Sequence, residues 1–265
     1  MSLFIYRSKR FNRFYGVTLF LYSVWFLVGL FVVGASIQTP FGEWADFIFI
    51  TLAALVLLLH FATQVHGRSV FSVFLLFVLV SGLMETIGAL TGVPFGSYTY
   101  TDQFGPMLFG VLPAAIPLAW WVIVWPIHCL VKSALAGTGV VLWIPVLTGI
   151  GAVLADLIIE PAATLVRGYW GWEGGGIYYG VPWTNFLAWF GTAFLLSLMT
   201  QLFFPHTPLK KVQLRTPVWV LGTTIITFVL VSVVTGKWWV LIPAGLFFYG
   251  IRWLYRSSRT DSLSQ

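Results

Sequence analysis

Three carboxylic acids stand in stretches of sequence that offer them little water: Glu85, Asp156 and Glu160. Asp156 and Glu160 are four positions apart, which on an α-helix puts them on one face about one turn from each other. Two like charges at that spacing in a low dielectric repel, so one is driven toward its protonated form. Glu160 also precedes Pro161, where the pattern predicts the end of the helix and where the negative end of the helix dipole opposes a second negative charge. The expected state is a neutral acid beside a carboxylate, which is a general acid beside a general base. Glu85 comes from another segment and is followed by Gly88, Ala89 and Gly92, small residues that permit close approach of a neighbouring helix. Arg167, seven residues beyond Glu160, could neutralise the charged partner if the intervening chain folds back. The plain reading of such acids is a buried hydrogen bond between helices. The functional reading carries more weight, because Asp at the centre of a membrane helix costs about 2.5 to 3.5 kcal/mol and is seldom kept without use.

The segments around these acids are apolar enough to make that cost relevant. Of 265 residues, 59% are hydrophobic and 8% charged, and the mean hydropathy of +0.92 excludes an ordinary soluble domain. Eight stretches have the length of a bilayer crossing: roughly Tyr15 to Ile37, Ala45 to Thr63, Ser69 to Thr91, Leu108 to Val131, Gly139 to Ile159, Asn185 to Phe204, Val218 to Thr235 and Trp238 to Tyr255. The first is too long and too rich in Trp and Phe for a cleaved signal peptide. The expected fold is all-α, a polytopic transmembrane helix bundle of about eight spans forming one integral membrane domain over residues 1–265. Within it, 1–14 is a basic N-terminal segment and 256–265 a disordered tail. All but two of the 14 Lys and Arg, Arg167 and Lys237, fall on one side of such a bundle, which predicts both termini in the cytoplasm. The net charge of +6 therefore reports topology; basic residues at helix ends do not form a nucleic-acid surface.

Two connections on the outer side are long and rich in Gly, Pro, Trp and Tyr: VPFGSYTYTDQFGP from Val93 to Pro106 and PAATLVRGYWGWEGGGIYYGVPWT from Pro161 to Thr184. They read either as an aromatic belt at the headgroups or as a folded cap over a pocket. Gly174, Gly175 and Gly176 lack the spacing of a phosphate loop and predict a turn. The fourth span carries Pro106, Pro113, Pro117 and Pro126, so its broken backbone should face protein or a cavity. His60, His66, His128 and His206 form no HxxxH or HxxH box and read as packing residues, and the lone Cys129 as a small buried one. These spacings suggest no metal, redox or nucleotide cofactor.

The sequence resembles the polytopic carotenoid biosynthesis hydratase family over roughly Gly42 to Leu196. The resemblance rests on Glu85 with Gly88, PFGSYTYT at Pro94 to Thr101, GPMLFGVLPAAIPLAWW at Gly105 to Trp121, DLIIEPAA at Asp156 to Ala163, and GYWGWEGGGIYYGVPWTNFLAWF at Gly168 to Phe190. It departs from the family pattern at Ala188, where Gly is expected before the last Trp. What the resemblance implies is addition of water to the terminal C1′,C2′ double bond of an acyclic carotenoid end group, giving a tertiary alcohol without a cofactor. It also implies a multi-pass protein of a prokaryotic plasma membrane or its equivalent, with an acyclic carotenoid, the bilayer and other carotenoid biosynthesis enzymes as partners. On that reading Glu85, Asp156 and Glu160 are the catalytic candidates. Tyr98, Tyr100, Trp120, Trp121, Trp170, Trp172 and Tyr179 are candidates to bind substrate and to stabilise a carbocation by cation–π attraction. Asn185 is either the N-cap of the sixth helix or an amide that holds the attacking water. A carotenoid end-group cyclase using the same protonation step, a proton-coupled transporter and a pigment-binding scaffold are the alternatives.

Overall fold

The computed structural model describes residues 8–37, 42–65, 67–204 and 209–258. Its backbone is a helix bundle: α1 (Lys9–Gly34), α2 (Gly42–Ala62), α3 (Gly67–Thr91), α4 (Ala115–Ala134), α5 (Trp143–Leu165), α6 (Trp183–Phe203), α7 (Arg215–Val234) and α8 (Leu241–Ser257). The first seven are long and apolar enough to cross a membrane, and α8, at 17 residues, is shorter. Nearly every residue of α4 is buried, and α2, α3, α5, α7 and α8 pack around it. A helix apolar all round belongs at the centre of a bundle, which is where α4 stands.

Several elements differ from the sequence-based expectation. The first helix begins at Lys9, with the Ser8 hydroxyl accepting the Phe11 N–H at 3.2 Å, so Lys9, Arg10 and Arg13 lie on helix rather than on a separate segment. The fourth helix starts at Ala115, not Leu108. Met107–Leu108 (β2) and Leu112–Pro113 (β3) pair instead as a short antiparallel ladder, which leaves Pro106 and Pro113 outside the helix. Pro117 then falls in the first turn, where a missing N–H costs nothing, and only Pro126 interrupts the interior. The fifth helix continues through Pro161 to Leu165. Pro161 cannot donate to the carbonyl of Leu157, and the Tyr178 hydroxyl takes that carbonyl at 2.7 Å, so the helix survives its proline. The predicted tail lies mostly in 259–265, outside the described residues; α8 runs on to Ser257.

The two long connections fold onto each other. Tyr98–Tyr100 (β1) and Trp170–Trp172 (β4) pair antiparallel, Tyr98 opposite Trp172 and Tyr100 opposite Trp170. The ladder continues beyond both strands, with the Thr101 N–H donating to the Tyr169 carbonyl at 3.0 Å and the Glu173 N–H to the Ser97 carbonyl at 2.8 Å. Because strand side chains alternate, Tyr98, Tyr100, Trp170 and Trp172 share one face while Thr99 and Gly171 occupy the other. This ladder caps one end of the bundle, above the C-terminal ends of α3 and α5 and the N-terminal ends of α4 and α6.

Candidate active site

The aromatic face of the cap points at the acids. Glu85 lies on α3 six residues before its end, and Glu160 on α5 five residues before its end, so both stand roughly 8 to 9 Å down their helices from the cap. Glu85 accepts three hydrogen bonds: from the Tyr98 hydroxyl at 2.8 Å and the Tyr100 hydroxyl at 2.7 Å on Oε2, and from the Trp120 indole at 2.8 Å on Oε1. Burial, with Glu85 beside them, pushes the Tyr98 and Tyr100 hydroxyls up from their ordinary range, so both remain donors. Glu160 Oε2 accepts the indoles of Trp172 at 2.9 Å and Trp170 at 3.3 Å. One strand thus serves each acid, β1 serving Glu85 and β4 serving Glu160.

Close approach of β1 to α3 depends on Gly88. A Cβ there would lie 2.6 Å from the Phe95 ring and 2.8 Å from the Tyr98 hydroxyl. The small residue makes room for the cap, not for another helix.

Asp156 is fully buried one turn before Glu160, and Asn185 joins the two. The Asn185 amide nitrogen donates to Asp156 Oδ2 at 2.7 Å and to Glu160 Oε1 at 3.1 Å, while Asp156 Oδ1 has no hydrogen-bond partner among the described residues. Asn185 is not the helix cap, since Pro182 holds that position and Asn185 sits in the first turn of α6 with its side chain turned into the protein. Nor is Glu160 at a helix end, because α5 continues past it, and the dipole argument for its charge does not apply. Arg167 does not reach these acids. It lies 3.6 Å from Asp46, which also accepts the Tyr169 hydroxyl at 2.6 Å.

A pocket of about 590 Å³ opens between the two acids. Glu85, Glu160 and Asn185 line it, with Tyr98, Tyr100, Trp120, Trp170 and Trp172 among its aromatic walls. Asp156 stands behind Glu160 and Asn185, off the wall. Trp121 turns away, donating to the Ala54 carbonyl at 3.3 Å and stacking on Trp125. Tyr179 is remote as well, its hydroxyl accepting the Trp239 N–H at 3.2 Å. Phe95, Phe104, Tyr169 and Trp189 belong to the wall although the sequence reading did not select them. Trp189 stacks on Trp120 at 4.1 Å between ring centres, and its WF pair at the start of an apolar helix gave no sign of that. For the cap a sign did exist, since Tyr-x-Tyr and Trp-x-Trp carry the two-residue period of paired strands.

Residues 45–251 match the family model described as carotenoid biosynthesis protein, a range that contains every residue of this pocket. The chain belongs to that family. A curated relative of this carotenoid biosynthesis protein is the bisanhydrobacterioruberin hydratase of Haloarcula japonica, 30% identical over 129 residues, which are 48% of this chain and 43% of the relative. The match therefore spans less than half of the relative's length. No solved structure matches. Membership of the family and seven long apolar helices among the described residues make the carotenoid biosynthesis protein an integral, multi-pass membrane protein.

Proposed function

We propose that this protein adds water to the terminal C1′,C2′ double bond of an acyclic carotenoid end group. The observation that carries the reading is a pair of separately held carboxyl groups, Glu85 and Glu160, on one aromatic-walled pocket. That the named relative is a hydratase supports the reaction class. Hydration of an isolated trisubstituted alkene needs an acid strong enough to protonate carbon, walls that tolerate a tertiary cation, and a directed water.

Asp156 carries a proton of its own, because it has one donor and a second oxygen without a partner, and Glu160 is protonated before it acts. A buried neutral acid tolerates that poverty far better than an anion does. Glu160, on the wall, passes its proton to C2′; the π electrons form the new C–H bond and leave the cation at C1′. Indole and phenol faces around it supply cation–π stabilisation of about 2 kcal/mol when desolvated. A water oxygen then bonds to C1′, and its surplus proton goes to Glu85, whose three donors favour the ionised form. Proton exchange through water in the pocket restores the pair. Both termini are cytoplasmic in this reading, the carotenoid arrives from the bilayer, and other carotenoid biosynthesis enzymes make it.

Expression in a host that accumulates an acyclic carotenoid tests the reading by mass spectrometry of the pigments. A gain of one water per end group is expected. An isomer of unchanged mass assigns the protein to cyclisation instead, and unchanged pigment removes the reaction.

A further inference from the structure

A second, smaller cavity of about 320 Å³ adjoins the pocket and differs from it in kind. Ile50, Phe104, Tyr169 and Phe228 line both spaces and so form the partition between them. On the far side of that partition stand Asp46 and Arg167, 3.6 Å apart, with side chains 22% and 30% exposed. Tyr169 belongs to both: its hydroxyl donates to Asp46 at 2.6 Å, and its ring lies stacked on Phe104 at 4.1 Å and 11°. Beyond the shared wall the small cavity is closed by Phe49, Thr227 and Val231.

The two reactants of a hydration have opposite solubilities. The carotenoid comes from hydrocarbon, whereas each turnover consumes one water that must reach a pocket walled mostly by aromatic rings. An ion pair that is partly exposed at one end and joined through a tyrosine hydroxyl to the pocket wall is a polar route of the right kind, and a two-ring stack is a partition that can part and close.

We propose that the cavity at Asp46, Arg167 and Tyr169 is the entry for substrate water, with the Tyr169–Phe104 stack as its gate, separate from the way in for the carotenoid. This rests on the hydratase reading. Its consequence is chemical: once the cation has formed at C1′, it either bonds to water or loses a proton and returns to an alkene. In heavy water a cation that loses one of the carotenoid's own protons, from C2′ or from a methyl group on C1′, gives an alkene that retains the deuterium added at C2′, whereas one that gives back the same deuteron returns unlabelled. The ratio of hydrated product to deuterium-labelled, unhydrated carotenoid therefore measures water supply within one sample, whatever amount of protein folds.

The experiment uses the full-length protein in lipid, an acyclic carotenoid and heavy water, with mass spectrometry of both products. Val231→Phe and Thr227→Leu fill the small cavity without touching the pocket; each is expected to lower the ratio several-fold, with labelled alkene rising as alcohol falls. Val231→Ala widens the passage and should hold the ratio at or above that of the unaltered protein. An unchanged ratio in the filled variants, a parallel loss of both products, or a fall with Val231→Ala overturns the proposal. If the unaltered protein yields neither alcohol nor labelled alkene, it is the hydratase reading that fails.

Discussion

Glu85 draws its hydrogen bonds from Tyr98, Tyr100 and Trp120, none of which bonds to another acid, whereas Glu160 shares the Asn185 amide with Asp156, a neighbour left with a bare oxygen. The first arrangement is complete around a carboxylate. The second is complete only if the pair carries a proton, because two buried charges with three donors between them on α6 and β4 would repel each other without compensation. One fold thus builds two acids of different character on the same pocket. The difference lies in their neighbours, not in the residue type. The opposite end of the bundle offers a useful contrast. There the Tyr15 hydroxyl lies 3.0 Å from His60 Nδ1 and 2.8 Å from the Thr216 hydroxyl, and His60 Nε2 lies 2.7 Å from the Gln213 carbonyl. That network joins α1 and α2 to the first turn of α7 and the residues just before it and lines neither cavity, so buried polarity alone does not mark a site.

Amide substitutions put the largest expected effect on this contrast. Glu160→Gln removes the group that hands over the proton and should lower turnover by about 10² to 10⁴, the usual cost of losing a general acid or base. Asp156→Asn, one step behind the wall, should cost less than Glu160→Gln. Glu85→Gln should fall toward the lower end of that range, because water is a ready partner for a tertiary cation even when its proton has a poorer acceptor. Product formed per unit of folded protein is the measurement. Near-normal turnover in all three would remove acid–base chemistry and leave a pigment-binding scaffold; equal losses in all three would erase the distinction between the two acids.

A smaller effect is expected where the cap meets α3. Gly88→Ala forces Phe95 and the Tyr98 hydroxyl aside, and Tyr98→Phe removes the same hydroxyl directly. A hydrogen bond to a charged group contributes about 1.5 to 3 kcal/mol, so each change should lower turnover by at most about 10- to 100-fold. Combined, they should cost little more than either alone, since both remove one contact. Additive losses would show that Gly88 acts on something other than the Tyr98–Glu85 bond.

Much of this was legible because the bilayer imposes strict terms. Apolar length gave the helices, and the expense of an acid in such a helix singled out Glu85, Asp156 and Glu160 from eight acidic residues. Asp46 escaped notice although it lies in the second span, because its meaning comes from Tyr169 and Arg167, more than 100 residues away. Trp120 and Trp121 looked equivalent in sequence. Helical rotation of about 100° per residue sends one to Glu85 and the other to the Ala54 carbonyl, and no local pattern says which. The start of α4 differs from the apolar pattern for a related reason: Leu108 to Pro113 is apolar enough to be helix, but Gly110 sits in the turn that joins two short strands, which only the tertiary structure displays.

The smallest expected effect concerns how α5 holds its pair of acids in place. Pro161 follows Glu160 directly, and a proline inside a helix leaves the carbonyl four residues earlier without its donor. Here that carbonyl belongs to Leu157, next to Asp156, and the Tyr178 hydroxyl fills the gap at 2.7 Å. Tyr178→Phe keeps the ring against Phe186 and Tyr179 while deleting the donor. Leaving one partly buried carbonyl unmatched should lower stability by about 1 kcal/mol. In a chain of this size that corresponds to a melting temperature lower by on the order of 2 to 4 °C. If the bond supports the helix only, turnover at a temperature well below unfolding should be nearly unchanged. A loss of turnover approaching that of Asp156→Asn, with only this modest change in melting temperature, would mean that the tyrosine sets the geometry of the acid pair. The contrast with Glu85 would then extend to how each acid is positioned: Glu85 by donors that grip it directly, the pair by the backbone on which it rides.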